Sequence, residues 1–432
     1  MHLKILITGT TGESMPPPYG GIPKVCLLYS KVWKKMGHEV GIVFTYRPQN
    51  ANDLGADVKY FFEYNSKPNK FKKFFFFLKY LFLSPLLYLR LFVSYFIIYP
   101  RISYELILYS AYGVFIDKII LTFKPDIILS ETALIKTFMA AKVANYRRVP
   151  ILFDTYAEIR DLSMGVNAVL DKNERTKYWK SFLKMAEFVF GLSNCSDGAL
   201  LYLPREKVKI FYDVCDFNFY NSLAKEDIYT LRKHFNMSGD FFLVGSVGAY
   251  EFRKGHDYLI KAVAILSKMG YDIRVALCGA GDPGKWKKLA IKEGIEEKVY
   301  FFKDLYEEEL AKFYKTLNLY VNLSNTPRSC GLDLALLEAM SSGLPIIVYD
   351  NGILPEAVIE GKNGFVVRTG DIDNLSRAIL KIYNMTDEEL VIMGRESSLI
   401  AFKYDINRAA EIKLNWIKEA IISFNNKSKS NQ

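Results

Sequence analysis

The chain has 432 residues, 50% of them hydrophobic and 24% charged, with a formal net charge of +10. That length suits two or three domains, each able to bury a core, and the composition excludes a disordered chain or a fibrous repeat. Five scattered cysteines without C-x-x-C spacing argue against a disulfide framework or a zinc site and fit a reducing cytosol, and the apolar run before the first Thr-Gly turn is too short for a secretion signal.

In chain order, Leu3–Ile7 reads as a strand and Gly9–Gly21 as a Gly/Pro-rich loop. A helix follows over Pro23–Met36 with Gly37 as its stop, then a second strand over Glu39–Thr45. This strand–loop–helix–strand unit opens a doubly wound parallel sheet. The next stretch, Ser66 to Tyr104, carries Lys67, Lys70, Lys72, Lys73, Lys79, Arg90 and Arg101, no acid, and a dense run of Phe, Leu and Tyr. Basic residues interleaved with Phe and Leu match an anionic membrane surface better than nucleic acid. The uncharged runs all fall short of the ~18 residues a bilayer crossing needs. The stretch is therefore expected to lie in the interface, the competing reading being a pair of buried core helices. Further strands are predicted at Asp126–Ser130, Pro150–Asp154 and Phe188–Ser193, rich in the apolar residues of strands covered on both faces.

A second alternation begins near Phe241, with strands predicted at Phe241–Val247, Ile273–Cys278, Val299–Lys303, Leu317–Leu323 and Pro345–Tyr349. The spacing leaves room for one crossover helix between neighbours. The expectation is an α/β protein of two Rossmann-like doubly wound domains. Residues 1–220 form the first, carrying the basic aromatic segment 66–104, and residues 221–402 the second. A terminal helix over 403–425 is expected to pack back on the first domain, and residues 426–432 to be disordered.

The residues most suggestive of chemistry run from Ser329 to Val367, read as loop, helix near Leu332–Met340, Gly343 cap, strand and turn. A helix starting just after a strand's C-terminal end points free N–H groups into the crevice where such sheets bind ligands. Glu338, two turns in among apolar neighbours, needs a partner, and ligand hydroxyls are one candidate.

LALLEAMSSGLPIIV followed by ILPEAV and KNGFVV resembles the donor-site signature of retaining GT-B glycosyltransferases of group 1 (family 4). GAYEFRKGHDYLIKA, LCGAGDPGKWKKL and PPYGGIPKV resemble that family's further glycine-bearing motifs, closely from Phe241 to Phe402 and patchily before. The resemblance implies two Rossmann-like domains facing a central cleft, with donor binding in the C-terminal half. By it, Glu338 accepts the nucleotide's ribose hydroxyls and Lys254 meets the diphosphate. The helix N-terminus after Gly331 helps, and Gly20 and Gly21 allow close backbone approach. Each residue type suits its role: a buried carboxylate a diol, a Lys a phosphate, a Gly close contact. Gly248, Gly279, Arg328, Cys330 and Leu332 complete the implied donor set, with Arg253 beside Lys254 in the catalytic group and Tyr156 and Glu158 on the acceptor side.

Three departures stand out. Cys330 replaces the first of the family's two glutamates, eight residues before Glu338, and Asp333 is too far round the helix to substitute. Ala249 replaces the family's phosphate-binding Arg, a charge that Arg253 or Arg328 is placed to restore. In ILFDTYAEIRD, Tyr156 or Ala157 stands where the family has His. Of the histidines, His38 lies in the GHEV turn and His256 follows the Lys-Gly pair, while His2 and His234 read as structural. A front-face transfer with retention survives these losses, because the departing phosphate oxygen itself takes the acceptor proton. No cofactor or metal is implied, since cationic side chains and a helix dipole serve the diphosphate.

The function expected is sugar transfer from a nucleotide-diphosphate donor to a lipid or lipid-linked glycan at an anionic membrane, in cell-surface glycan synthesis, on the cytoplasmic face of the cell membrane, with no nucleic acid partner. The alternatives are a catalytically degenerate GT-B protein acting as a membrane-bound partner or regulator, and a nucleotide-sugar epimerase or hydrolase.

Overall fold

A computed structural model describes residues 1–9, 21–47, 58–65, 68–98, 104–131, 135–155, 171–192, 196–222, 227–303, 305–325 and 331–430. The chain divides into two compact units, one of residues 1–211 with 409–432 and the other of residues 212–408.

The first unit is built on strands β1 (Lys4–Thr8), β2 (Glu39–Tyr46), β3 (Lys59–Tyr64), β4 (Ile127–Glu131), β5 (Ile151–Thr155), β6 (Val189–Leu192) and β7 (Val208–Phe211). Among the described residues they form one parallel sheet in the order β3-β2-β1-β4-β5-β6-β7. Its helices are α1 (Gly21–Lys35), α2 (Lys70–Leu83), α3 (Pro85–Phe96), α4 (Tyr104–Phe123), α5 (Ile135–Tyr146), α6 (Lys172–Leu183) and α7 (Ser196–Leu200). β1, β4 and β5 are buried on both faces, as their unbroken apolar runs require. α1 turns Val25, Cys26, Tyr29, Val32 and Trp33 inward and ends at Gly37, whose φ of 87° reverses the chain into β2.

The second unit holds β8 (Phe242–Val247), β9 (Ile273–Gly279), β10 (Val299–Lys303), β11 (Leu319–Asn322), β12 (Ile346–Tyr349) and β13 (Gly364–Val367) in the parallel order β10-β9-β8-β11-β12-β13. Around it lie α8 (Phe217–Ser222), α9 (Ile228–His234), α10 (His256–Lys268), α11 (Gly284–Glu293), α12 (Glu307–Lys315), α13 (Leu334–Ser341), α14 (Ile372–Tyr383) and α15 (Asp387–Ala401). Both sheets have the doubly wound order, with a switch point between β1 and β4 in one and β8 and β11 in the other. In sheets of this order the loops leaving the strands on either side of the switch point diverge, and ligands bind there.

Several boundaries differ from the sequence reading. The units part at Phe211/Tyr212 rather than 220/221, because Cys215 N–H donates to the Tyr404 carbonyl at 3.1 Å and Ile406 N–H to the Cys215 carbonyl at 2.9 Å. Those bonds tie the segment before α8 to the second unit. β3, β7 and β13 were not predicted; the last two are four residues long, too short for a periodic pattern. Residues 426–430 are not disordered as expected, while 431–432 lie outside the described residues: helix α16 (Ile406–Ser430) continues to Ser430, where Lys427 Nζ meets Glu187 Oε2 at 2.5 Å and Ser428 caps back onto the Phe424 carbonyl. From Ala409 onward α16 belongs to the first unit. Trp33 Nε1 donates to the Ala410 carbonyl at 3.0 Å, and Lys413 forms a buried ion pair with Asp154.

The basic aromatic segment forms α2 and α3, broken at Ser84–Pro85. Proline lacks the N–H that would continue the helix, and the two axes turn by 111°. One face joins the core through Phe76, Tyr80, Leu87, Tyr88, Leu91 and Tyr95. The other leaves large apolar side chains in the open, Phe71 75% exposed, Phe82 77% and Leu86 84% among them. Core packing and an exposed apolar surface therefore coexist on opposite faces of one hairpin. Leu106–Phe123 of α4 is apolar and long enough to cross a bilayer, yet 67% of it is buried within the protein.

Candidate functional site

The site predicted in the C-terminal half assembles at the switch point of the second sheet. β8 ends at Val247 and passes into Gly248, a 3₁₀ turn over Phe252–Lys254, and Gly255, which opens α10. Two glycines make this crossing compact. A Cβ on Gly279, at the end of β9, would lie 1.8 Å from the Gly248 carbonyl oxygen, and one on Gly248 would press on the Lys254 stem at 3.1 Å. The predicted Gly248 and Gly279 thus pack the two strand-end loops backbone to backbone and let Lys254 lie across them. Gly255 takes a φ of 72° with its α-carbon against Leu323, a position only glycine fills without strain.

His256 is buried directly behind this loop. Its Nε2 donates to the Gly248 carbonyl at 3.1 Å, and its ring sits against Tyr250 and Trp286. Burial pushes its pKa down to about 4, so the imidazole is neutral and braces the loop as a donor. Tyr250 Oη lies 2.7 Å from the Phe302 carbonyl and 3.0 Å from that of Leu277, holding the other side.

Lys254 reaches forward from this scaffold and pairs with Asp333 Oδ2 at 2.9 Å. Asp333 is the N-cap residue of α13, but its side chain makes no capping bond; it accepts from Lys254 and from Asn322 Nδ2 at 3.1 Å. Asn322 is the last residue of β11, so Lys254, Asn322 and Asp333 bring the ends of β8 and β11 and the start of α13 to one point. Asp213 lies close enough to feel both charges. Burial pushes its carboxyl up to about 8, Asp333 adds to the rise and Lys254 opposes it. At neutral pH Asp213 is an uncharged acid facing this pair.

Glu338 lies one and a half turns into α13 and is 3% exposed. Tyr314 Oη donates to Glu338 Oε2 at 3.1 Å, and Tyr220 bonds the same carboxylate. Burial and the neighbouring carboxylate hold both phenols well above their ordinary pKa, so both stay protonated and able to donate. The sequence reading asked for a partner for this buried carboxylate; the structure supplies two tyrosines.

Other predicted residues fall differently. Arg253 does not join Lys254: it pairs with Glu251, and both side chains are about half exposed (51%). Leu332 is fully buried among core residues, so only its backbone is available to a ligand. Gly331 precedes α13 as expected and Gly21 is the first residue of α1. Gly20, Tyr156, Ala157, Glu158, Arg328 and Cys330 lie outside the described residues. His2 and His234 have structural partners, the Gly37 carbonyl and Glu309. Among the described residues, no group of three or more His, Cys, Asp or Glu is placed to hold a metal ion. Asn322, Asp213 and Asp333 as the partner of Lys254 were missed. Nothing local marks them, because each matters through residues far away in the chain.

Residues 227–397 match the family model described as Glycosyl transferases group 1. Over 220 residues the chain is 24% identical to an uncharacterized glycosyltransferase of Methanocaldococcus jannaschii, covering 50% of this chain and 55% of that one. Over 133 residues it is 32% identical to the GDP-mannose-dependent alpha-(1-6)-phosphatidylinositol monomannoside mannosyltransferase of Mycolicibacterium smegmatis, covering 29% of this chain and 35% of the relative. The chain thus matches about half the length of the first relative and about a third of the second. Among solved structures, Anabaena HepE in complex with UDP and glucose aligns with a TM-score of 0.70 at 17% identity, over 97% of this chain and 100% of that one. That likeness is one of fold, and the fold is GT-B.

Proposed function

We propose that the protein, whose residues 227–397 match the group 1 glycosyl transferase model on a GT-B fold, transfers a sugar, with retention at the anomeric carbon, from a nucleotide-diphosphate donor to a lipid or lipid-linked glycan in cell-surface glycan synthesis. The observation that carries this reading is Lys254, held by interlocked glycine loops at the switch point beside the N-terminus of α13. A cation and a helix N-terminus converging on a glycine-walled crevice suit a diphosphate. In this reading Lys254 and the α13 N–H groups stabilise the charge growing on the departing diphosphate, without a metal. Glu338, oriented by Tyr314 and Tyr220, accepts the ribose hydroxyls. The leaving phosphate oxygen takes the acceptor proton. The exposed apolar face of α2 and α3 rests on the cytoplasmic surface of the cell membrane, where the acceptor is embedded and the donor is dissolved.

A second reading, a GT-B partner that binds no donor, draws on one observation: Asp333 already neutralises Lys254. The test is thermal stability against UDP, GDP, ADP and their common sugars, with Glu338→Ala alongside. A ligand at ~100 times its dissociation constant adds about 2.7 kcal/mol. Stabilisation of the wild type by one nucleotide, absent in the variant, supports donor binding, and transfer to lipid in anionic vesicles then identifies the acceptor. A chain that no nucleotide stabilises supports the second reading.

A further inference from the structure

The first unit carries a pair of cations that no acid answers among the described residues. A surface cavity of about 440 Å³ opens between α3 and α5, lined by Arg90, Leu91, Lys142, Asn145, Tyr146 and Met185 among others. The Arg90 guanidinium lies 4.8 Å over the Tyr146 ring, and the Lys142 ammonium 5.4 Å over that of Phe138. Arg147, whose guanidinium also lies 5.1 Å from the Tyr146 ring centre, binds Asp117 through two hydrogen bonds of 2.6 and 2.8 Å. Arg90 and Lys142 have no carboxylate at salt-bridge distance among the described residues. They also repel one another: burial, then the charge of Arg90, holds the Lys142 pKa below its ordinary value. Two like charges sharing one surface cavity favour an anion that joins them.

The helix that supplies Arg90 indicates where that anion comes from. Leu86, Leu89 and Val93 on α3 and Ile97 just past its end are exposed, at 84, 57, 44 and 65%, and Arg90, also exposed, lies among them on that outer face. A helix resting by this stripe in the acyl boundary of a bilayer places a flanking guanidinium at the depth of the phosphates. We propose that the Arg90–Lys142 cavity binds the phosphate group of a lipid headgroup. Arg90 supplies a planar fork of donors, Lys142 a point charge and Asn145 a neutral amide beside them. This rests on the membrane reading above and goes further, replacing diffuse attraction with one stoichiometric site.

The experiment uses the full chain, with Arg90→Gln/Lys142→Gln against a charge-matched control, Lys35→Gln/Lys118→Gln, also on the first unit. Sedimentation with phosphatidylcholine vesicles containing phosphatidylglycerol gives the partition coefficient, and melting temperature confirms that each variant folds. Loss of two contacts at the surface, about 1 kcal/mol each, lowers partitioning about thirty-fold in the cavity variant; the control should change less than three-fold. Equal losses in both variants overturn the site and leave only general attraction. Inorganic phosphate, compared with chloride at equal ionic strength, separates the sources. If phosphate raises the wild-type melting temperature but not that of the cavity variant, the site takes free phosphate as well; if only vesicles respond, it requires the lipid ester. A wild type that ignores vesicles but is stabilised by phosphate through these two residues refutes the membrane reading while keeping the anion site. A wild type that responds to neither overturns both.

Discussion

Replacing Asp333 by Asn is expected to tighten binding of a nucleotide diphosphate. The carboxylate sits 2.9 Å from Lys254 Nζ at the point where the diphosphate is proposed to bind. A bound phosphate must therefore take Lys254 from Asp333 and tolerate that carboxylate nearby. Two unit charges ~4 Å apart interact by about 4 kcal/mol at an effective dielectric of ~20. The two side chains are 17 and 26% exposed, so solvent and salt reduce the effect; a charge-assisted contact is worth about 1.5–3 kcal/mol. The Asn variant keeps the volume and can still accept from Asn322. Its affinity for the diphosphate should rise by roughly ten- to a hundred-fold, since each 1.4 kcal/mol is a factor of ten. Calorimetric titration of the nucleotide that stabilises the wild type measures this directly. Lys254→Ala should lose most binding, and Asp333→Glu should stay near wild type. If Asp333→Asn binds the same or more weakly, the carboxylate is organising Lys254 for the ligand rather than competing with it, and the electrostatic argument is wrong.

Three further outcomes are expected. Lys413→Met strips Asp154, 0% exposed, of its buried counter-ion, and should cost about 3–5 kcal/mol of first-unit stability in urea unfolding; adding Asp154→Leu should recover most of it, whereas purely additive losses would show that the pair is not coupled. Asp213, with a folded pKa of about 8 against an ordinary 3.8, holds its proton where the unfolded chain releases it. Its contribution is full below about pH 4 and is lost as pH rises towards 8, by at most about 1.4 kcal/mol per unit; Asp213→Asn should flatten that slope in melting curves, and an unchanged slope would assign it elsewhere. Phe82→Ser/Leu86→Ser removes two side chains 77 and 84% exposed, so folding should be nearly unaffected while vesicle partitioning falls at least tenfold; equal partitioning would place the membrane contact on another face.

The sequence by itself determined what local pattern and short-range motif can carry. The first five strands of the second unit and the Gly343 cap are written in runs of a few residues, and the structure reproduces them within a residue or two. The same holds for a basic, aromatic, proline-broken segment between the second strand and the fourth helix. Periodicity could not show that this segment has two apolar faces, one for the core and one for the surface, because Phe76 and Phe75 are neighbours of identical chemistry. Only packing against β3 and α4 makes the first 6% exposed and leaves the second at 65%. The candidate site divides in the same way. Lys254, Gly248, Gly279 and Glu338 were legible because each lies in a recognisable motif. The partners that give them their electrostatic state were not: Asp333 is 79 residues from Lys254, Tyr314 is 24 from Glu338, and Asn322 closes the cluster from a third element. Charge and hydrogen bonding act over a few ångströms in space and carry no signature along the chain. Which cation is neutralised, which carboxylate is oriented and which pair is left unanswered were decided only when the sheets brought distant strand ends together.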